Sequence, residues 1–164
     1  MINFQELTRL VPEVADPIAG RFAASGLGML GTVRSNGAPR VSPIEVGQVD
    51  GRLFVGMMPG SQKHRDALRD QRYCVVTAIA DRHDLGGEGK LYGELDPVAD
   101  PARSDAILRR LAAANGFEAD ALAGSPMFEL LVDRAAWQVV VDDAWTTLSW
   151  RHGVDGVRRR SRTN

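Results

Sequence analysis

Apolar and polar positions alternate through most of the middle of the chain, and turn-forming pairs interrupt the alternation at short intervals. The apolar run Met29 to Arg34 precedes Ser35-Asn36-Gly37. An Asn-Gly pair tolerates positive φ at both residues, so the pattern predicts a hairpin there. Pro39 to Val49 reads as the returning strand, Asp50-Gly51 as a second turn, and Arg52 to Met58 as a third strand. Pro59-Gly60-Ser61 breaks the alternation and ends in a hydroxyl N-cap, which opens a short helix over Gln62 to Asp70. Arg72 to Ala80 is rich in Val and Thr and apolar on both faces, as in a central strand. Asp81 to Gly89 reads as a glycine-rich loop and Lys90 to Val98 as the next strand.

Helical spacing appears at three places. Residues 4–14 carry Leu7, Leu10 and Val11 on one face, with Pro12 ending the run, and Asp16-Pro17 then supplies a cap and a first-position proline for a helix that stops at Ser25-Gly26. Asp100-Pro101 repeats that device and opens a helix with Ile107, Leu108 and Leu111 as its apolar stripe, closed by Asn115-Gly116. A short polar helix is expected over Glu118 to Ala123. Beyond it, Pro126 to Val132 and Ala136 to Asp142 read as two strand segments joined at Asp133-Arg134, Ala144 to Arg151 as a last strand, and Val157 to Asn164 as a basic tail. Six or seven strands joined mostly by short turns imply antiparallel neighbours, so the expected fold is a closed or nearly closed β-barrel with peripheral helices. No linker or repeat divides the chain. It is expected to be one domain, with a helical segment at 1–26, barrel strands over 28–99 carrying the helix 62–70, an inserted helix at 101–116, closing strands over 126–151 and a tail at 152–164.

Charge order changes the picture at one point. Lys63, His64 and Arg65 occupy the first turn of the helix after Ser61, where the helix dipole and free N–H groups favour negative charge. Alternation puts Arg40 and Ser42 on one face of the preceding strand pair. Arg40, Ser42, Ser61 and Lys63 are therefore a candidate phosphate site, set against the reading in which these cations are ordinary solvated charges.

Composition narrows the partners. The 164 residues carry a net charge of -1, which argues against nucleic acid as a default partner. The N-terminus has no apolar signal-like run and no stretch reaches eighteen apolar residues, so a cytoplasmic protein is expected. The lone Cys74 lies in an apolar run and reads as a small buried hydrophobe. Walker, GxGxxG, HExxH, CxxC and GxSxG motifs are absent, and His64, His83 and His152 are too scattered to suggest a metal site. Any redox chemistry would then belong to a cofactor. Trp137 reads as core. Trp150-Arg151 reads as a flat face and a cation at a barrel rim, and Arg158 to Arg160 as a solvated tail or a closure over an anionic substrate.

GMLGTVRSNGAPRVSPIEV (28–46) and DGRLFVGMMPGSQKHRDALRDQR (50–72), more loosely GEGKLYGELDPVADPAR (87–103) and Trp150-Arg151, resemble the pyridoxamine 5′-phosphate oxidase-like flavin-binding family, in particular its flavin and deazaflavin oxidoreductases. The resemblance implies a six-stranded split β-barrel, a homodimer, and FMN at the subunit interface serving hydride transfer to or from a small organic molecule. It places the cofactor phosphate on Arg40 and Lys63, with Ser61 between turn and helix. It sets Val41, Ser42 and Pro43 along the ring, Gly56, Met57 and Met58 beside the phosphate-bearing tail, and Trp150 and Arg151 at cofactor or substrate. No catalytic acid or base is implied, and no metal. Two departures stand out. Gln62 occupies a position where an arginine is common, and the Arg-Leu-x-Pro ending that binds a pyridoxal ring is replaced by Trp150-Arg151-His152-Gly153. The alternatives are the deazaflavin coenzyme F-420, whose anionic tail would suit Arg65, Arg151 and Arg158 to Arg160, and a non-catalytic flavin- or haem-binding protein.

Overall fold

The computed structural model describes residues 1–78, 83, 86–116, 118 and 123–163. Both predicted turns form. At the second, Asp50 (φ 51°) and Gly51 (φ 74°) take the paired positive-φ geometry of a two-residue hairpin. At the first only Gly37 does so (φ 82°), because Asn36 uses its side-chain oxygen to accept from the Ala38 N–H at 3.0 Å and the loop is longer. These turns connect β1 (Leu27–Val33), β2 (Pro39–Val49) and β3 (Arg52–Gly56).

The other strands are β4 (Arg72–Thr77), β5 (Glu88–Pro97), β6 (Met127–Val141), β7 (Ala144–Arg151) and β8 (Arg158–Thr163). They form one antiparallel sheet in the order β3-β2-β1-β4-β5-β6-β7-β8, and a further β3–β6 pairing closes the first six into a barrel. Its interior is filled by alternate residues such as Leu30, Leu53, Val55, Val75, Leu91, Leu95 and Leu130.

Closure depends on β6 serving two partners. Its start, Met127 to Glu129, pairs with β3, while Arg134 to Val141 pairs with β7. Between them the β5–β6 register slips: Tyr92 faces Arg134 but Gly93 faces Val132, leaving Asp133 as the extra residue of a bulge. A Cβ on Gly93 would lie 1.8 Å from the Leu131 carbonyl oxygen, so only glycine fits there. The two segments expected on either side of Asp133-Arg134 are thus one bent strand.

Four helices, α1 (Phe4–Leu10), α2 (Pro12–Ser25), α3 (Gln62–Arg69) and α4 (Pro101–Asn115), pack on the barrel. The expected boundary at Asp16-Pro17 is displaced. Pro12 is the first residue of α2 and Pro17 lies inside it, because Val14, Ala15, Ile18 and Phe22 all bury against the barrel and outweigh the bond that Pro17 cannot make. α4 begins at its Asp100 cap, which accepts from the Ala102 N–H at 3.0 Å, and buries Ile107, Leu108 and Leu111 with Val49, Phe54 and Met127. Glu129, buried on β6, accepts from Arg52 of β3 at 2.7 Å and lies 3.6 Å from Arg103 of α4. Burial pushes its carboxyl above the ordinary 4.5, and the two guanidiniums pull it back.

The C-terminus departs from expectation. Residues 158–163 form β8 against β7, so Ala144 to Arg151 is not the last strand, the sheet has eight strands, and the segment after Arg151 is not simply a tail. Ile79-Ala80, Asp81, Arg82, Asp84 and Leu85 of the expected Asp81–Gly89 loop, and most of the expected helix Glu118 to Ala123, lie outside the described residues, and Glu88-Gly89 belong to β5. No helix among the described residues is long and apolar enough to cross a membrane.

Two substitutions test this framework by urea denaturation. Gly93→Ala is expected to cost about 3 kcal/mol or more, because a buried backbone must move. Arg52→Ala is expected to cost about 2–3 kcal/mol at pH 7, by leaving the buried Glu129 carboxylate with only the longer 3.6 Å contact to Arg103. Protonation relieves an unpaired buried carboxylate, so that loss should be smaller near pH 4.5; an equal loss at both pH values would contradict the ion-pair role.

Candidate functional site

α3 bridges two parts of the barrel wall. Its first turn lies beside Pro43 to Gly47 of β2 and its last turn reaches β1, where Arg69 donates to the Val33 carbonyl. The link in the middle is Asp66, fully buried, which accepts from Gln62 Nε2 at 2.9 Å and from Thr32 Oγ1 at 3.4 Å. Ser61 caps the helix as predicted, its Oγ accepting from the His64 N–H at 3.3 Å.

The three basic residues of the first turn divide their work. Arg65 donates to the Gly60 carbonyl at 2.5 Å and to Gln62 Oε1 at 3.0 Å, so it clamps the entry loop. His64 accepts the Gly60 N–H at Nδ1 and sets its ring edge-on to Phe128. Lys63 alone reaches across to β2, donating to the Pro43 carbonyl at 2.9 Å. On β2, Arg40 Nη1 donates to Ser42 Oγ at 2.9 Å, and both side chains are half-buried on the same face as Ile44 and Val46.

Arg40 and Lys63 are close enough to repel. Burial first, and the Arg40 charge second, hold the Lys63 ammonium below its ordinary 10.5, with the exposed Glu45 pulling the other way. Neither cation has an ion-pair partner among the described residues. Ser42 and Ser61 retain hydroxyl protons beside them, which completes a donor set suited to a phosphate dianion.

A cavity of about 490 Å³ opens next to this cluster, between β2, β3, the start of α3 and α4. Lys63, Ser61 and Glu45 stand at its polar side, and Phe54, Met57 and Leu111 line its apolar side. α4 comes this near because Gly47 has no side chain: a Cβ there would lie 2.3 Å from Leu111 Cδ2. Sequence reasoning gave neither Glu45 nor α4 a place at the site. Gly47 inside a strand was the available signal of close approach.

The remaining predicted residues scatter. Val41 and Pro43 point to the outer face of β2, opposite Arg40 and Ser42, and Val41 is 64% exposed. Met57 is buried at the cavity wall, and Gln62 is occupied within α3. Trp150 is 7% exposed and belongs to the core cluster, so it is not a rim residue, because β7 turns that face inward; Arg151 is exposed on the other face. β7 lies outside the closed ring, separated from β2 by β6 and β3. Trp137 is core as expected. Cys74 is half-buried on the outer face of β4 rather than in the core, and burial pushes its thiol up while Tyr92 draws it back.

Comparison of this architecture with solved structures decides the fold. PhzG from Burkholderia lata 383, in complex with tetrahydrophenazine-1-carboxylic acid, superposes with a TM-score of 0.66 at 13% identity, over 98% of this chain and 93% of that one. A Clostridium acetobutylicum protein of the pyridoxinephosphate oxidase family, related to general stress protein 26, gives 0.61 at 12% identity, over 82% and 91%. This is the pyridoxamine 5′-phosphate oxidase-like split-barrel fold. The heme storage protein HutZ from Vibrio cholerae shares the split barrel too, with a TM-score of 0.60 at 16% identity over 75% and 89%. No family model matches the sequence, and no curated protein matches it. The likeness is therefore one of fold, and the split barrel's function rests on its own residues.

Lys63 provides a direct test of the site. Anion binding favours the protonated ammonium, so phosphate affinity should be full below the lowered Lys63 pKa and fall as pH rises through it. Side-chain NMR of Lys63 is expected to show titration below 10.5 in the free chain and an upward move on adding inorganic phosphate. An unmoved resonance would remove the anion from this site.

Proposed function

We propose that this split barrel binds FMN through its phosphate and acts as an oxidoreductase on a small organic molecule. The observation that supports the reading is the meeting of Arg40 and Lys63, two cations with no ion-pair partner among the described residues and only the exposed Glu45 nearby, flanked by the hydroxyls of Ser42 and Ser61. Burial first and the Arg40 charge second lower the Lys63 pKa, and a bound anion would offset both by favouring the protonated ammonium, so the cluster suits a phosphate. One solved structure of the same fold is named for the pyridoxinephosphate oxidase family and another, PhzG, holds a small organic ring compound, tetrahydrophenazine-1-carboxylic acid, which favours the same class here.

Bound FMN would supply the hydride acceptor and donor. The chain's part is to bind and orient it. Arg40 and Lys63 would hold the phosphate from β2 and α3, and Asp66 ties α3 to Thr32 of β1, the strand on which β2 pairs, so the tail would be anchored on regular elements rather than a loop. Met57 and Phe54 supply an apolar wall to the adjacent cavity. No acid or base is assigned to the reacting atoms.

A second copy completes the site in this reading. The outer face of β1, β2 and β4 carries Met29 at 40% exposure and Val41 at 64%, beside Val33, Cys74 and Val76, around a cavity of about 390 Å³. Large apolar side chains in contiguous exposed array are what a partner subunit buries. Haem is the less favoured occupant: His64 already accepts a backbone N–H at Nδ1, and His152 sets its ring edge-on to Trp150.

The test is to purify the untagged protein, record its visible spectrum, identify the released chromophore by mass, and measure its oligomeric state. Flavin absorption with FMN in a dimer is expected. Tight binding of reduced deazaflavin in place of FMN would shift the reading to coenzyme F-420, and a Soret band would overturn both. Arg40→Ala and Lys63→Ala should each weaken cofactor binding by about 1.5–3 kcal/mol, the scale of a hydrogen bond to a charged group. Unchanged affinity in both variants would sink the phosphate assignment.

A further inference from the structure

The strand β8 is an edge strand that carries four arginines in six residues, and the alternation sorts them unequally. Arg158, Arg160 and Arg162 share one face, and Arg159 stands on the other. Opposite them on β7 the register places Ser149, Thr147 and Trp145, and Gln138 of β6 follows behind Thr147. Together these side chains line a cavity of about 330 Å³ that is separate from the Arg40–Lys63 cluster. None of the three arginines has an ion-pair partner among the described residues, and the lining contains no carboxylate. The nearest acid in register with Gln138 is Glu88 of β5, which already accepts from Lys90.

Edge strands are commonly charged to prevent pairing with other chains. That purpose is indifferent to face, and Arg159 would serve it as well as its neighbours. What it leaves unexplained is the concentration of three guanidiniums above two hydroxyls and an amide, all of them able to donate to one anionic ligand. Strand geometry sets successive arginines about 7 Å apart and the whole row at about 14 Å, which suits a chain of several anionic groups better than a single phosphate. Trp145, 40% exposed opposite Arg162, offers a flat face at one end of the row. The overall charge of -1 and the shortness of the row disfavour a nucleic-acid track.

We propose that this face of β6, β7 and β8 binds a small oligophosphate ligand of the nucleoside polyphosphate class, with the phosphates along Arg158, Arg160 and Arg162 and the ring against Trp145. The proposal does not rest on the flavin reading. Calorimetric titration of the full chain with inorganic tripolyphosphate and with ATP tests it, using Lys63→Ala as a background in which the other cation cluster is disabled. Both probes are expected to bind in that background, ATP the tighter, with affinity falling as salt is added. Arg160→Gln should weaken both by about five- to tenfold, while Arg159→Gln on the opposite face leaves them unchanged. Trp145→Leu should reduce ATP to the affinity of tripolyphosphate. Thermal melts of each variant verify that β8 remains in place. Absence of binding, equal loss in Arg159→Gln, or loss in Lys63→Ala alone would overturn the assignment, as would tighter binding of a single-stranded oligonucleotide than of ATP.

Discussion

Everything in this molecule depends on β6 bending once. A single strand pairs with β3 at its start and with β7 at its end, and an antiparallel ladder permits that only where the register slips. The slip is made at Asp133, and Gly93 accommodates it by presenting no side chain to the Leu131 carbonyl. With the bend in place, six strands close on one interior and two remain outside as an extension. Without it the same sequence would form an open sheet, and neither α3 nor α4 would find the wall it packs on.

Closure also creates the electrostatic situation at the candidate site. Arg40 and Ser42 face the same way as core residues of β2, and α3 brings Lys63 to the adjoining backbone. Lysine donating to a carbonyl is an ordinary contact; what marks this one is a second cation beside it, with the exposed Glu45 nearby but not ion-paired to either. Asp66 is the nearest acid on α3, but its oxygens are engaged by Gln62, Thr32 and Arg69 in holding the helix to β1. The fold thus commits Asp66 to anchoring, while Lys63 lines the cavity with Glu45 near it. Such separation of roles is what a binding site for an anion requires, and a purely structural ion-pair network would not produce it.

The local parts of this arrangement were legible before the structure. β2 spans the residues that its turns bracket, and the Ser61 cap and the Arg40–Ser42 face follow from nearest-neighbour geometry alone. What escaped reading is non-local. Trp150 and Arg151 alternate on β7, yet which of them turns inward is decided by the bend in β6, so Trp150 is core where a rim position was expected. Pro17 carries a strong local signal for a helix start, overridden because the buried stripe of α2 extends on both sides of it. β8 shows no apolar alternation at all. It exists because β7 offers a free edge and Thr146 and Ser161 meet across it at 2.9 Å. Glu45 and the α4 wall of the cavity depend on long-range approach, for which Gly47 was the single local sign.

The two arginine-bearing surfaces are built on different principles, and the contrast bears on what each can recognise. Around Arg40 and Lys63 the donors come from two elements packed on the same barrel wall, half-buried, beside a partly open and mostly apolar cavity. Charge there acts at reduced dielectric and a bound anion would be held in one pose. On β8 the arginines are fully exposed on an edge and screened by solvent, so orientation must come from the row itself, from Thr147 and Ser149 beneath it and from Trp145 at its end. A compact phosphate attached to a ring system matches the first; an extended chain of charges matches the second. The same residue type therefore marks two chemistries, distinguished by burial and spacing rather than by charge.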